Sequence, residues 1–175
     1  MSHTIVINRA PVLTLWATVV AERLGFDRDE ALSLGKAVAG LNAQAKGRRL
    51  GIFTPGKEPG RAARERGRDQ ALRIELCGRP VPAVNTASGV RAVTGDQAID
   101  PAGVERYLAG KFGADLDAAR RAMTALARAF EPEDLAERAF ALYAAFRPAI
   151  PSGARGWGAK GELDLARLGA LAARR

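Results

Sequence analysis

The chain of 175 residues contains one cysteine, Cys77, and one histidine, His3. A single cysteine excludes a disulfide framework within the chain, and it also excludes a zinc knuckle. With one histidine close to the start of the chain, histidine-based catalysis and metal sites built from histidine and cysteine are disfavoured. We therefore expect no metal, no cofactor and a non-enzymatic role.

Aromatic residues are also scarce, at 6% of the chain, and no apolar run reaches the length needed to span a bilayer. So few rings give little support to stacking on single-stranded bases. The first residues lack the basic segment followed by an apolar one that is typical of a secretory signal peptide. We therefore expect a cytoplasmic protein of bacterial type without membrane association.

Positive charge is what the sequence has in excess, with a formal net charge of +8. Such an excess favours an anionic partner such as nucleic acid. The alternative is coding bias, since alanine and arginine are both abundant, as GC-rich DNA would produce. Clustering of the cations along the chain would favour binding over coding bias. Separately, a hydrophobic content of 47% indicates an ordinary globular chain.

Much of the charge is concentrated in residues 46–69, where eight cations and three acids give five of the eight net charges. Prolines and glycines in this stretch exclude a continuous helix and predict an exposed basic loop over residues 54–70. The loop is either a phosphate-contacting arm or a solvated linker, and the charge excess favours the arm. The cations are Lys46, Arg48, Arg49, Lys57, Arg61, Arg64, Arg66 and Arg68.

The first 53 residues predict a helical hairpin. Apolar side chains recur at spacings of three and four from Val12 to Leu24, and Gly25 is suited to end this helix. Asp27 and Glu30 have the spacing of a capping box for a second helix that continues to about residue 47. Small residues on part of the second helix predict close approach of another helix. They are Gly35, Ala37, Ala39 and Gly40.

Residues 17–36 resemble the helix-turn-helix motif of DNA-binding proteins. Ala21 occupies the small position of the first helix and Gly25 the turn position four residues later. The resemblance implies that the start of the second helix enters the major groove of DNA. The side chains that would then read the bases are Arg28, Ser33 and Lys36.

The alternative for the same residues is a plain helical hairpin whose second helix is buried on both sides. Carboxylates crowd the end of that helix that would approach the phosphates, and they would repel DNA. Those carboxylates belong to Asp27, Asp29 and Glu30.

The remaining sequence predicts a small antiparallel sheet of three strands followed by further helices. The strands are expected over residues 72–76, 83–86 and 90–94, and the helices begin with the cap Asp100 and Pro101. The expected fold class is α+β, predominantly α, with about six helices. We expect residues 71–175 to form one compact unit with the N-terminal hairpin.

A glycine-rich tail, residues 152–161, carries one tryptophan among cations. Trp157 is either a plug that buries itself or a platform for a base or a partner. Beside it, Arg155 and Lys160 would contact phosphate or a partner.

These patterns together predict a nucleic-acid-associated protein of the DNA-binding regulator type that uses the basic loop and the hairpin. The alternative is a homodimeric interaction or structural subunit in which the basic composition is incidental and the small residues of the second helix form the interface. The residues expected to contact nucleic acid are Arg28, Lys36, Lys46, Arg48, Arg49, Lys57, Arg61 and Arg64.

Overall fold

The structure is a computed structural model, and it describes residues 4–49, 71–94, 97–148 and 160–173, of which 44–49 and 71 by their backbone alone. The fold is mixed α+β and mainly helical, as predicted. In chain order the elements are β1 (Thr4–Asn8), α1 (Arg9–Arg23), α2 (Arg28–Arg49), β2 (Ala71–Leu76), β3 (Arg79–Thr86), β4 (Gly89–Thr94), β5 (Gln97–Ala98), α3 (Pro101–Phe112), a 3-10 turn (Gly113–Asp115), α4 (Leu116–Arg128), α5 (Pro132–Phe146), β6 (Lys160–Asp164) and α6 (Leu165–Ala173).

Helix α1 is the centre of the fold. Every residue from Pro11 to Ala21 is buried, because α2, α4 and α5 all pack against α1. The two threonines in this stretch donate hydrogen bonds from their hydroxyl groups to carbonyls of the same helix, Thr14 to Ala10 and Thr18 to Thr14. The helix can therefore be enclosed on all sides without leaving these hydroxyls unpaired.

The turn between α1 and α2 forms as the sequence predicts. Gly25 has a φ of 113°, a conformation that costs glycine little. The capping box is present, with the Asp27 amide donating to Glu30 Oε1 at 3.0 Å and the Glu30 amide donating to Asp27 Oδ1 at 2.8 Å. These bonds occupy amides that would otherwise be unpaired at the start of α2.

The prediction of one three-stranded sheet is wrong in the number of strands. The described residues form a four-stranded antiparallel sheet in the order β2-β3-β4-β5 and a separate pair, β1 with β6. Strand β3 begins at Arg79, four residues before the second predicted strand, and therefore includes Pro80 and Pro82. Only Ala83–Thr86 pair with β4, so the two prolines have β2 alone as a neighbour and no ladder bond is lost on the other side.

The sheet covers the first turns of α2. Ser33 is fully buried, and its Oγ donates to the Glu30 carbonyl and accepts the Ala92 amide at 3.1 Å. Glu30 Oε2 accepts the Val90 amide at 2.8 Å. Ser33 therefore lies beneath β4 and is not placed to read a base, which corrects one of the three positions implied by the helix-turn-helix resemblance.

A single cluster of buried apolar side chains runs from Ile5 in β1 to Leu168 in α6. Its largest member is Trp16, whose Nε1 donates to the Ala139 carbonyl at 2.8 Å. None of the helices within the described residues combines the length and the apolarity that a membrane crossing requires.

Two buried groups make the stability of the fold sensitive to alkaline pH. Burial raises the pKa of the Cys77 thiol from 9.0 to about 12, and it raises the pKa of the Tyr143 phenol from 10.0 to about 12. Both groups are neutral when protonated, so the folded protein holds these protons more tightly than the unfolded chain. The contribution of these two groups to the free energy of unfolding is thus fully present below pH 9.0 and is lost as the pH rises towards 12.

We expect Cys77→Ala and Tyr143→Phe each to flatten this alkaline fall, because each removes one group that releases its proton on unfolding. One group contributes at most about 1.4 kcal/mol per pH unit. Urea denaturation at a series of pH values measures the slope for the wild type and both variants. Equal slopes in all three proteins would contradict the assignment.

Candidate anion-binding site

A cleft of about 430 Å³ lies between the last turns of α1, the first residue of α2 and one face of α4. We call it the arginine cleft. Its residues are Val19, Glu22, Arg23, Arg28, Arg120, Thr124, Ala127 and Arg128.

Helical spacing explains why these side chains meet. On α4, Arg120, Thr124 and Arg128 are separated by four residues each and share one face. On α1, Val19 and Arg23 have the same separation, and the apolar neighbours of this face hold the two helices together. The cleft is therefore built on regular helices that pack within the core.

The charge of the cleft is strongly positive, since four arginines face one carboxylate, that of Glu22. Arg120 Nη1 lies 3.4 Å from Glu22 Oε1, and Arg28 Nη2 lies 2.7 Å from Glu105 Oε1. The second pair has side chains that are 52% exposed on both partners, and such exposed pairs contribute little to stability. An incoming anion can compete with Glu105 for Arg28 at small cost.

Within the cleft, the side chain of Arg120 is 19% exposed, compared with 52% for Arg28. Burial lowers the pKa of Arg120, and the charge of Arg28 lowers it further, while Glu22 and two other carboxylates act in the opposite direction. The guanidinium stays protonated, because its pKa starts far above neutral pH. The site thus holds a cation whose charge is incompletely compensated by its surroundings.

Two guanidinium nitrogens of the cleft arginines, Arg23 Nε and Arg120 Nη2, are buried and have no hydrogen-bond acceptor within the described residues. Arg23 uses its Nη2 to donate to the Phe130 carbonyl at 2.9 Å, which fixes the side chain against the end of α4. A buried donor without an acceptor costs about 1–3 kcal/mol. Neither nitrogen is accessible to solvent in this structure, so an oxyanion in the cleft would reach them only if the guanidinium groups turned towards it.

Phosphate is the anion whose chemistry fits this donor set best. Guanidinium groups bind phosphate oxygens through short charge-assisted hydrogen bonds, and several arginines can share one phosphate. Among the described residues, no group of three histidine, cysteine or acidic side chains is placed to hold a metal ion. The arrangement can bind an anion, and it positions neither a nucleophile–base pair nor a metal for catalysis within that part of the chain.

Of the residues predicted from the sequence, Arg28 lies in the cleft and two others lie elsewhere. Lys36 Nζ is 3.9 Å from the centre of the Tyr107 ring and does not line the cleft. Lys160 is exposed on β6, opposite Asn8. The side chains of Lys46, Arg48, Arg49, Lys57, Arg61, Arg64, Arg155 and Trp157 lie outside the described residues.

The environment of Lys36 explains why it is held away from bulk water. Burial lowers the pKa of Lys36, and the charge of Lys111 lowers it further. The face of the Tyr107 ring attracts the ammonium and offsets part of this cost. Lys36 is therefore tied to α3 in the folded protein.

Sequence reasoning missed three of the four cleft arginines: Arg23, Arg120 and Arg128. Their spacing on each helix was visible, but arginines at such spacing usually form a solvated face. The meeting of α1 with α4 depends on contacts between residues about 100 positions apart along the chain, as the Arg120–Glu22 separation of 98 shows. No local signal carries that information.

Comparisons of the chain with protein-family models, with curated proteins and with solved structures gave no match. The function proposed below therefore rests on the geometry of the arginine cleft.

Proposed function

We propose that the protein is a non-enzymatic nucleic-acid-associated protein that binds phosphate groups in the arginine cleft. The observation that carries the proposal is the meeting of four arginines in one cleft whose described lining holds a single carboxylate, that of Glu22. The net charge of +8 supports the same class of partner.

Nucleic acid suits these features because its affinity for proteins comes largely from neutralised phosphates. The predicted basic loop, residues 54–70, would add contacts to other phosphates of the same nucleic acid. The helix-turn-helix resemblance contributes Arg28, which begins α2 and lines the cleft. In this proposal Arg28 contacts phosphate, and it is not required to read a base.

We expect Arg120→Gln to weaken binding of a short DNA duplex that has phosphorylated single-stranded 5′ overhangs. The loss should be about tenfold, since a charge-assisted contact to phosphate is removed. The plot of log affinity against log salt should become shallower by about 0.9, because one fewer phosphate is neutralised. Fluorescence anisotropy over a salt series measures both quantities.

The matched control is Arg121→Gln, which removes the same charge from the adjacent, exposed position on α4 without touching the cleft. Equal effects of the two substitutions would show that only net charge matters and would contradict the role of the cleft. Failure of the wild-type protein to bind the duplex at low salt would overturn the proposed function itself.

A further inference from the structure

The shape of the arginine cleft restricts which phosphate can enter it. The cleft is a half-open recess between α1 and α4 with Arg28 at its edge, and only 19% of the Arg120 side chain is exposed. An internal phosphodiester is joined to a nucleotide on each side, and both flanking nucleotides would have to enter the cleft with it. A terminal phosphate has a chain on one side only, so it can reach the Arg120 guanidinium while the rest of the strand leaves through the opening.

The size of the cleft agrees with one terminal group. A volume of about 430 Å³ lies within the range of small-ligand sites, about 300–1,000 Å³. This is space for a phosphate with the sugar that carries it, and it is far too little for a segment of duplex. The lining contains no aromatic ring, so nothing in the cleft offers a stacking platform for a base.

The charge of the cleft also favours a terminal phosphate. A phosphate monoester carries about −1.5 to −2 charges at neutral pH and presents three free oxygens. A phosphodiester carries one charge and presents two. Arg120 lies beside Glu22 and Arg28 beside Glu105, so two of the four arginines have no carboxylate partner among the described residues, and the more highly charged group gains more.

We propose that the arginine cleft recognises a phosphate monoester, and that it prefers the terminal phosphate of a nucleic acid strand to the internal phosphodiesters. This inference rests on the proposed function for the source of the monoester. The chemistry itself is shared by a strand end and by a free nucleoside monophosphate, and the experiment separates the two.

The test compares overhang duplexes of one sequence that end either in a 5′ phosphate or in a 5′ hydroxyl. We expect the phosphorylated duplex to bind the wild-type protein at least about tenfold more tightly. Arg120→Gln and Arg128→Gln should each remove most of this difference, and Arg121→Gln should keep it. Arg128 is exposed, so its substitution tests the cleft without disturbing the core.

Equal binding of the two duplexes by the wild type would overturn this inference and leave the proposed function standing. A second arm titrates adenosine monophosphate and adenosine against the protein by calorimetry. Binding of the monophosphate that Arg120→Gln abolishes, without binding of either duplex, would support the monoester site and overturn the nucleic-acid function. Absence of binding in both arms would overturn both proposals.

Discussion

Adding one methyl group at Gly35, by Gly35→Ala, is expected to destabilise the protein by more than about 3 kcal/mol. A Cβ at this position would overlap Thr18 Oγ1 and would lie 2.6 Å from the Thr14 carbonyl oxygen and 2.9 Å from the Thr18 amide nitrogen. Two of these atoms belong to the backbone of α1 and cannot rotate away. Relief would require α1 and α2 to move apart, which would disturb the centre of the core.

Urea denaturation followed by circular dichroism measures this loss, and Gly40→Ala is the matched control on the same helix. Gly40 is exposed, and nothing lies within 4 Å of the position that its Cβ would take. That substitution should stabilise the protein by about 0.5–1 kcal/mol, because alanine favours the helix more than glycine does. Similar free energies of unfolding for the two variants would contradict the close contact of α1 with α2.

Trp16→Ala should be comparably damaging, at about 3–5 kcal/mol. Trp16 is completely buried and meets Phe146 edge to face, with ring centres 5.3 Å apart and an angle of 87° between the rings. Removal of the indole leaves a cavity between α1 and α5 and deprives the Ala139 carbonyl of a hydrogen bond. The free energy of unfolding can again be measured by circular dichroism, which does not depend on the lost fluorophore.

Trp16→Phe separates the two contributions. It keeps an aromatic ring against Phe146 but removes the Nε1 donor, so the expected cost is smaller, about 1–3 kcal/mol. If the alanine variant lost no more stability than the phenylalanine variant, filling of the core by the indole would be unimportant and the prediction would be wrong.

Local signals predicted the helices and the hairpins of this fold well. Gly25 ends the first helix, and Asp27 with Glu30 begins the second, since these residues act within a few positions of themselves. Asp100 likewise caps α3. Its carboxylate accepts a hydrogen bond from the Ala102 amide, and Pro101 is the first residue of the helix. Such signals need no knowledge of the rest of the chain.

Pairings between distant segments could not be predicted in this way. Strand β6 has a single buried apolar side chain, Leu163, and the sequence predicts no strand here, with Lys160 and Gly161 falling in the glycine-rich tail. It becomes a strand because β1 offers a partner edge about 150 residues earlier in the chain, with Thr4 opposite Asp164. Ser33 is a similar case, since its burial depends on β4 arriving above α2.

The distribution of cations was predicted only in part, because sequence shows charge but not its partner. Arg28 meets Glu105 from 77 residues away, and Arg91 lies 4.0 Å from Asp29. The Lys36 ammonium makes a cation–π contact with the Tyr107 ring. These contacts compensate part of the positive charge of the described residues, and four of the arginines line the arginine cleft.

The ribbon of β1 and β6 has a consequence for the order of assembly. Strand β1 leads straight into α1 and is synthesised before it, whereas its partner strand follows α5. During synthesis on the ribosome, β1 therefore has no partner strand until nearly the whole described chain has emerged. Helix α1 can pack early, but the pairing of β1 with β6, which joins the two ends of the described chain, can form only late.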